Sequence, residues 1–475
     1  MSTSRLSTHT LILLAGDVLA LSAAIAGALL IRAGGRPEPV IIQLWQFAAP
    51  FLLGLWLLGL AAFGLYDLTT AKNEPRFFER LVKALGFNFA ATVLAFYLLP
   101  EFRLRPLLTL AILALTTGLA LISWRALFNA AIARRAKARV LFLGVTPEVT
   151  ELTSFLAQHP QLGFSAVGAM AFGDAHDGAG NHAIPIAVLD AGRDLAAVTR
   201  EFNIDHIVVA HDVKRTKTMV KKLLGVIPLG VTIVDLHKFY EAVSGKVPIS
   251  LITDTWFLEN LVGARRPRYD FLKRITDLVI ALLIGVVALA LFPAIAFAIA
   301  LSTPGDILRY RARRAREGDG IIFFRQTRVG KNGRGFDFIK FRSQVLGAEK
   351  IGAEKSDTPD PRAYPAGEFL RKTYLDELPQ LLNVLRGEMS FVGPRPERPE
   401  FVAELEREIP FYRMRELVLP GITGWAQINM EDDASVADAP EKIQYDLYYI
   451  KNRSLYLDLG IMLKTVLKLL QRSGR

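Results

Sequence analysis

The stretch Phe369-Leu-Arg-Lys-Thr-Tyr-Leu-Asp-Glu-Leu-Pro-Gln-Leu-Leu-Asn-Val-Leu-Arg-Gly387, continued by Glu-Met-Ser-Phe-Val-Gly-Pro-Arg-Pro396, decides how the chain is read. Two adjacent carboxylates, Asp376 and Glu377, stand where a helix should begin. Pro379 follows closely, and proline is tolerated in a first turn because its missing N–H would be unpaired there anyway. Leu378, Leu381, Leu382 and Leu385 form an apolar stripe at helical spacing, and Gly387 is a natural stop. A helix start is partly positive and suits anions such as phosphate esters. Arg371 precedes the pair, and Arg386 and Arg395 follow it. Arginine binds phosphate bidentately and keeps its charge. An Asp-Glu pair alone is most often a helix cap. Carboxylates set among several fixed cations are equipment for phosphoryl transfer.

Working outward, Lys340-Phe-Arg-Ser343 lies before this stretch, and Pro420-Gly-Ile-Thr-Gly-Trp-Ala-Gln-Ile-Asn429 after it. With these flanks, roughly Phe271 to Leu470 closely resembles the bacterial polyprenyl-phosphate sugar-1-phosphate transferases. The run Pro394-Arg-Pro-Glu-Arg-Pro-Glu-Phe401 looks most like the large exopolysaccharide-initiating enzymes, including those found beside exosortase systems. The resemblance implies transfer of a sugar-1-phosphate from a UDP-sugar to polyprenyl phosphate, with release of the nucleoside monophosphate. It implies Asp376 as nucleophile, forming an aspartyl phosphosugar, and Glu377 as metal ligand or positioning group. It further implies Arg371 and Arg395 as ligands of the donor phosphates, and Lys340 and Arg342 as contacts to phosphate or nucleotide. Two anionic substrates repel, so the site must neutralise charge. Mg²⁺ does this with one or two carboxylates plus substrate phosphates, which makes Asp376 and Glu377 its expected ligands. The chain departs from the family pattern at Ser343-Gln344, at Pro361–Glu368 and at Met430–Asp433, so the donor sugar stays open.

Composition narrows the alternatives. The 475 residues are 51% hydrophobic with mean hydropathy +0.29, which suggests membrane segments, and the formal charge is +11. Such an excess suits nucleic acid, anionic lipid or phosphorylated substrates. The basic residues lie beside apolar segments, as lipid contact requires, so no nucleic-acid partner is expected. There is no cysteine, hence no disulfide, thiolate metal site or cysteine nucleophile, and the seven histidines show no zinc spacing. A non-catalytic membrane regulator or scaffold of polysaccharide export could use the same helices, but it would not need the dyad and its arginines. Self-association into a homo-oligomer is compatible with everything above.

Four apolar stretches come first, about Leu11–Ile31, Trp45–Leu65, Leu81–Leu99 and Pro106–Trp124, each near the roughly 20 residues that cross a bilayer as helix. The first has no clean small-residue cleavage site, so it reads as a retained span rather than a cleavable leader. Lys72, Arg76, Arg80 and Lys83 in the second connection, and Arg125, Arg134, Arg135, Lys137 and Arg139 after the fourth, outnumber Arg32, Arg36, Arg103 and Arg105 in the other two. The positive-inside rule then puts the N-terminus and everything after Trp124 in the cytoplasm, and the resemblance implies that the membrane is a bacterial inner membrane. Asp17 inside the first span is expected to be structural.

From Ala138 the pattern changes to strands alternating with helices, such as Arg139-Val-Leu-Phe-Leu-Gly144 and Ile204-Asp-His-Ile-Val-Val-Ala210, which implies a parallel sheet of Rossmann type. Its first turn, Gly144-Val-Thr-Pro-Glu-Val149, lacks the glycines that bring backbone to a pyrophosphate, so no dinucleotide cofactor is expected. The polar run Gly173–His182 reads as a surface turn. A fifth apolar run, Leu278–Leu301, has Lys273-Arg274 before it and Arg309, Arg311, Arg313, Arg314 and Arg316 after it. Basic flanks on both sides place both ends in the cytoplasm, and Pro293 supplies the bend, so a re-entrant helix is expected, with a straight fifth span as the alternative. The expected class is a membrane protein, α plus α/β. It comprises a four-helix transmembrane domain over 1–130, a cytoplasmic Rossmann-like domain over 136–255, the re-entrant helix over 271–305, and a mixed α/β catalytic domain over 306–475.

Overall fold

A computed structural model describes residues 3–32, 39–66, 75–98, 106–134, 137–171, 186–190, 192–210, 217–252, 254–260, 266–303, 320–348, 362–430 and 438–472. The chain forms two compact units, Met1–Leu251 and Ile252–Arg475. It is a membrane-type α/β protein: long apolar helices accompany a parallel sheet. The expected surface turn at Gly173–His182 and the arginine run at 309–316 lie outside the described residues.

In the first unit, the four apolar stretches are helices α1 (Thr3–Arg32), α2 (Pro39–Ala62), α3 (Pro75–Leu98) and α4 (Pro106–Arg134). Among the described residues of this unit, Thr10–Ala28 of α1 and Ala111–Ala131 of α4 are long and apolar enough to cross a membrane. The described apolar part of α2, Ala49–Ala62, is shorter. The first turns of α3 carry Arg80 and the Lys83–Glu79 pair (2.7 Å), which interrupt its apolar run. Polar groups link the helices. Trp56 donates to Thr92 at 2.9 Å and Asn88 to the Trp56 carbonyl at 3.1 Å. Asp17 is fully buried and takes Arg125 Nε at 2.9 Å, with a second bond from the same guanidinium. Arg125 also donates to the Leu65 carbonyl and lies over the Tyr66 ring. Asp17 thus has the structural pairing that a charge inside an apolar helix requires.

The sheet of this unit contains β1 (Ala138–Leu143), β2 (Phe164–Met170), β3 (Ala187–Leu189), β4 (His206–Val209) and β5 (Thr232–Asp235), ordered β3-β2-β1-β4-β5 and parallel throughout. Alternation divides the apolar runs between two cores. Val140, Phe142 and Val208 face Phe239 and Tyr240 of α8 (Leu236–Ser244) and Leu152 of α5 (Pro147–Gln158). Leu141, Leu143, Ile207 and Val209 face Val198 of α6 (Leu195–Glu201) and Leu223 of α7 (Lys217–Val226). A sheet covered on both faces reads in sequence as an unbroken apolar run.

The second unit begins with α9 (Asp254–Asn260) and the long helix α10 (Pro267–Ser302), which continues through Pro293 without a break. Its middle is apolar and exposed: Leu282, Leu283, Val286, Val287 and Leu289 all face outward. A hairpin of β6 (Phe323–Val329) and β7 (Gly335–Phe341) follows, then α11 (Pro365–Lys372) and α12 (Gln380–Arg386). A short parallel pair joins β8 (Ser390–Val392) to β9 (Gly421–Thr423). Helices α13 (Pro399–Glu408), α14 (Trp425–Asn429), α15 (Ala439–Asn452) and α16 (Leu455–Arg472) follow, with α16 packed against both strands and Tyr449 of α15 donating to the Val392 carbonyl at 3.1 Å. Both flanks of the exposed stretch of α10 touch this framework. Arg274 donates to the Val384 carbonyl at 2.6 Å, and Ile295 and Ile299 share a core with Phe341, Tyr364 and Leu370.

Candidate active site

The dyad does not open a helix. Asp376 and Glu377 belong to a 3₁₀ turn, Leu375–Glu377, and α12 starts three residues later with Pro379 as its cap. The chain reaches the turn through Tyr374 at φ 56°, a left-handed conformation unusual for a bulky residue. Helix α12 has only seven residues, so a helix dipole is not what receives an anion here. The apolar stripe also divides differently from the expectation. Leu381 is buried with Gln380, Asn383 and Val384, whereas Leu382 and Leu385 are exposed. The burial side is chosen by Asn383, whose amide donates to the Asp337 carbonyl at 2.7 Å and accepts from Ile339 N–H at 3.3 Å. Those two bonds hold α12 against β7 and bring the dyad over Lys340. Gly387 ends α12 at φ 79°, as its sequence position suggested.

Lys340 is the hub of the site. Its Nζ lies 2.7 Å from Glu377 Oε1 and 3.8 Å from Asp376 Oδ2. Arg395 reaches the same Glu377 oxygen at 3.5 Å. Arg371, on the last turn of α11, is near enough for its charge to act on Asp376. Asp376, Glu377, Lys340, Arg371 and Arg395 therefore converge. Arg342 stands apart: its side chain is 2% exposed and donates to Thr303 Oγ1 at 2.6 Å, at the end of α10. That placement anchors β7 to α10. Arg386 is exposed at the end of α12.

The two carboxylates differ electrostatically. Burial pushes Asp376 up to about 6; the neighbouring Glu377 charge adds to this, while Lys340, Arg371 and Arg395 oppose it. Burial would also raise Glu377, but Lys340 and Arg395 outweigh it and hold that carboxylate at about 2. Close like charges push their titrations apart. One group is a permanent anion, and the other sits near neutrality.

Among the described residues no group of three or more His, Asp or Glu side chains forms a ready-made metal cage. Mg²⁺ does not require one, since it binds through one or two carboxylates and completes its shell with water and substrate phosphates. Adjacent oxygen-only donors fit that requirement. The sequence reading missed Asn383, which aligns the dyad. It also missed Gln380, buried one turn beyond Asp376 with no partner for its amide nitrogen among the described residues. An amide inside an apolar helical stripe was the available signal.

Residues 268–472 match the bacterial sugar transferase family, and residues 61–230 match a family described as a CoA-binding domain. The UDP-N-acetylgalactosamine-undecaprenyl-phosphate N-acetylgalactosaminephosphotransferase of Aeromonas hydrophila is 39% identical over 241 residues, 50% of this chain and 52% of that protein. The UDP-glucose:undecaprenyl-phosphate glucose-1-phosphate transferase of Klebsiella pneumoniae is 32% identical over 345 residues, 70% of this chain and 68% of that protein. A Caulobacter vibrioides protein of the same description is 36% identical over 227 residues, 47% of this chain and 79% of its own length. The match to the Aeromonas relative thus spans about half of that protein. These matches place the chain in the bacterial sugar transferase family, the polyprenyl-phosphate sugar-1-phosphate transferases.

Proposed function

We propose that the protein transfers a sugar-1-phosphate from a UDP-sugar to polyprenyl phosphate at the cytoplasmic face of a bacterial inner membrane, starting exopolysaccharide assembly. The observation that carries this reading is the convergence of Lys340, Arg371 and Arg395 on a carboxylate dyad beside an exposed apolar helix. An Asp376 oxygen attacks the β-phosphorus of the donor. The bond from that phosphorus to the bridging oxygen breaks, UMP leaves, and an aspartyl phosphosugar remains. The phosphate oxygen of the lipid then attacks the same phosphorus, forming the diphosphate and releasing the Asp376 carboxylate. Donor and acceptor never have to be bound together, and covalent catalysis replaces one difficult step by two easier ones. Arg371 and Arg395 bind the donor phosphates, and Lys340 pairs with Glu377 while offsetting negative charge at Asp376. Glu377 with Asp376 would hold Mg²⁺, which supplies further neutralisation of phosphate charge.

The α10 contacts support a re-entrant reading. Arg274 and Ile299, on either side of the exposed apolar stretch, both touch the framework that carries the dyad. A return to the same side of the bilayer needs a kink at Pro293, where the sequence placed the bend but the helix stays continuous, so the support comes from the two flanks alone. The strand order with β1 central supports a Rossmann-like domain, and the contacts among α1, α2, α3 and α4 support a transmembrane bundle. The printed names of the relatives differ in the sugar, N-acetylgalactosamine for one and glucose for others.

The test uses purified enzyme and UDP-sugar labelled in the sugar phosphate, with no acceptor. UDP-glucose, UDP-galactose and their N-acetylated counterparts are tried in turn. UMP release with label retained on protein is expected for the true donor. Asp376→Asn should abolish both, with turnover falling by several powers of ten, about the scale of losing a covalent route. Full activity in Asp376→Asn, or kinetics requiring both substrates to be bound together, would sink the covalent mechanism.

A further inference from the structure

Behind Arg395 lies a cluster of buried charges that no step above uses. Arg415, in the 3₁₀ turn Tyr412–Leu417, is 5% exposed, and each nitrogen of its guanidinium has a partner. Nε and NH2 bond Asp446 of α15 at 3.1 and 2.9 Å, and NH1 bonds the Tyr412 hydroxyl at 2.7 Å. NH2 also donates to the backbone carbonyl of Arg395 at 2.8 Å. Glu397, two residues further on, is held by Lys442 at 2.8 Å, with Arg328 at 3.7 Å and Arg415 at 3.8 Å. The next two carbonyls are gripped as well: Arg328 donates to that of Pro396 at 3.0 Å, and Val329 N–H to that of Glu397 at 2.9 Å. Three successive carbonyls, from Arg395 to Glu397, are thus clamped while the Arg395 side chain reaches forward to Glu377.

Stability is a poor account of this arrangement. Taking several ions out of water costs more than a buried pair usually returns, and apolar substitutes are often as stable. Geometry is the better account. A partly exposed arginine has many rotamers, so the aim of its guanidinium depends on a fixed backbone, and Pro394 and Pro396 restrict φ on each side. We propose that Arg415 is a positioning residue for the donor site. Its bond to the Arg395 carbonyl aims the Arg395 guanidinium at Glu377 and the donor diphosphate, without touching substrate itself. Lysine cannot replace it, because a single ammonium cannot span Asp446, Tyr412 and the Arg395 carbonyl as a planar fork does.

This inference rests on the reading of Arg395 as a ligand of donor phosphate, and the experiment separates the two. Full-length enzyme in detergent is assayed with its UDP-sugar and polyprenyl phosphate, comparing Arg395→Ala, Arg415→Lys, Asp446→Asn and the Arg395→Ala/Arg415→Lys double variant. Arg415→Lys should raise the donor KM by about 10- to 150-fold, the scale of one hydrogen bond from a charged donor, and leave the acceptor KM unchanged. Asp446→Asn, which loosens Arg415 with little change of volume, should do the same and decides the matter if Arg415→Lys fails to fold. In the Arg395→Ala background, Arg415→Lys should add less than about twofold, because its target is gone. Equal effects on both substrates, or full multiplication in the double variant, would mean a structural role and overturn the proposal. Normal donor kinetics in Arg415→Lys and Asp446→Asn, with impaired Arg395→Ala, would overturn it alone. Normal donor kinetics in Arg395→Ala would overturn it together with the reading of Arg395.

Discussion

Lys340 touches both carboxylates of the dyad unequally, at 2.7 Å to Glu377 and 3.8 Å to Asp376, and that inequality gives the site a testable pH signature. Asp376 must be ionised to attack, so acceptor-independent UMP release should fall as pH drops through about 6. Lys340 opposes the upward push on Asp376, so Lys340→Met should move this acid limb to higher pH. A limb that stays in place, measured by UMP release across pH 5–8, would remove Asp376 as the titrating group. The same shift bears on stability. The fold binds the Asp376 proton more tightly than the unfolded chain, so its stabilising contribution is present below the unfolded value of 3.8 and is lost as pH rises through about 6. Asp376→Asn resembles the protonated form. It should therefore raise Tm at pH 7.5 while abolishing turnover, and a lowered Tm in thermal unfolding would contradict this.

Elements, rather than single residues, decide how precisely these groups meet. Strands β8 and β9 approach so closely at Gly393 and Gly421 that a methyl group on either would collide with backbone of the other segment. Gly393 immediately precedes Pro394-Arg395, so Gly421→Ala should displace Arg395 and weaken donor turnover as well as lower Tm. Unchanged donor KM in a folded Gly421→Ala protein would count against that coupling. Between α1 and α4 the Asp17–Arg125 pair is fully buried. Arg125→Leu leaves a carboxylate uncompensated and should cost about 3–5 kcal/mol, whereas Asp17→Leu/Arg125→Leu should cost less. Equilibrium unfolding in detergent checks the order, and a costlier double variant would refute it. At the start of α5, Thr146 caps Val149 N–H, and Glu148 accepts from Ser250. A carboxylate in the first turn repels a pyrophosphate, so the full-length protein should bind neither NAD(H) nor NADP(H). Micromolar binding by calorimetry would overturn this, and coenzyme A belongs in the same titration because residues 61–230 match a CoA-binding family.

At the scale of the whole molecule the question is which side of a bilayer each part occupies. At about 1.5 Å per residue the 36 residues of α10 are about 54 Å long, more than a bilayer core of about 30 Å requires. Length alone would permit a crossing; contacts at both flanks with one framework favour a return. Single cysteines at Ser302 and Lys331, in a chain that has no others, should be shielded from a membrane-impermeant thiol reagent in intact cells. Labelling of either from outside would refute the one-sided arrangement.

The family was legible in the chain because its motifs are continuous stretches, with Asp376-Glu377, Arg371 and Arg395 all inside one of them. The α/β alternation after Ala138 and the apolar helices were equally legible, because burial on both faces of a sheet, or contact with lipid, leaves an unbroken apolar run. Tertiary structure alone decided which basic residues face the dyad. Lys340 and Arg342 are two residues apart, yet one reaches Glu377 and the other turns to Thr303, since the chain leaves β7 at Phe341. It also decided the two titration ranges of adjacent carboxylates, which depend on distances to cations from β7, α11 and the segment after β8. Arg415 and Asn383 were invisible for the same physical reason: each acts through a backbone carbonyl distant in sequence, and carbonyls look alike in every residue.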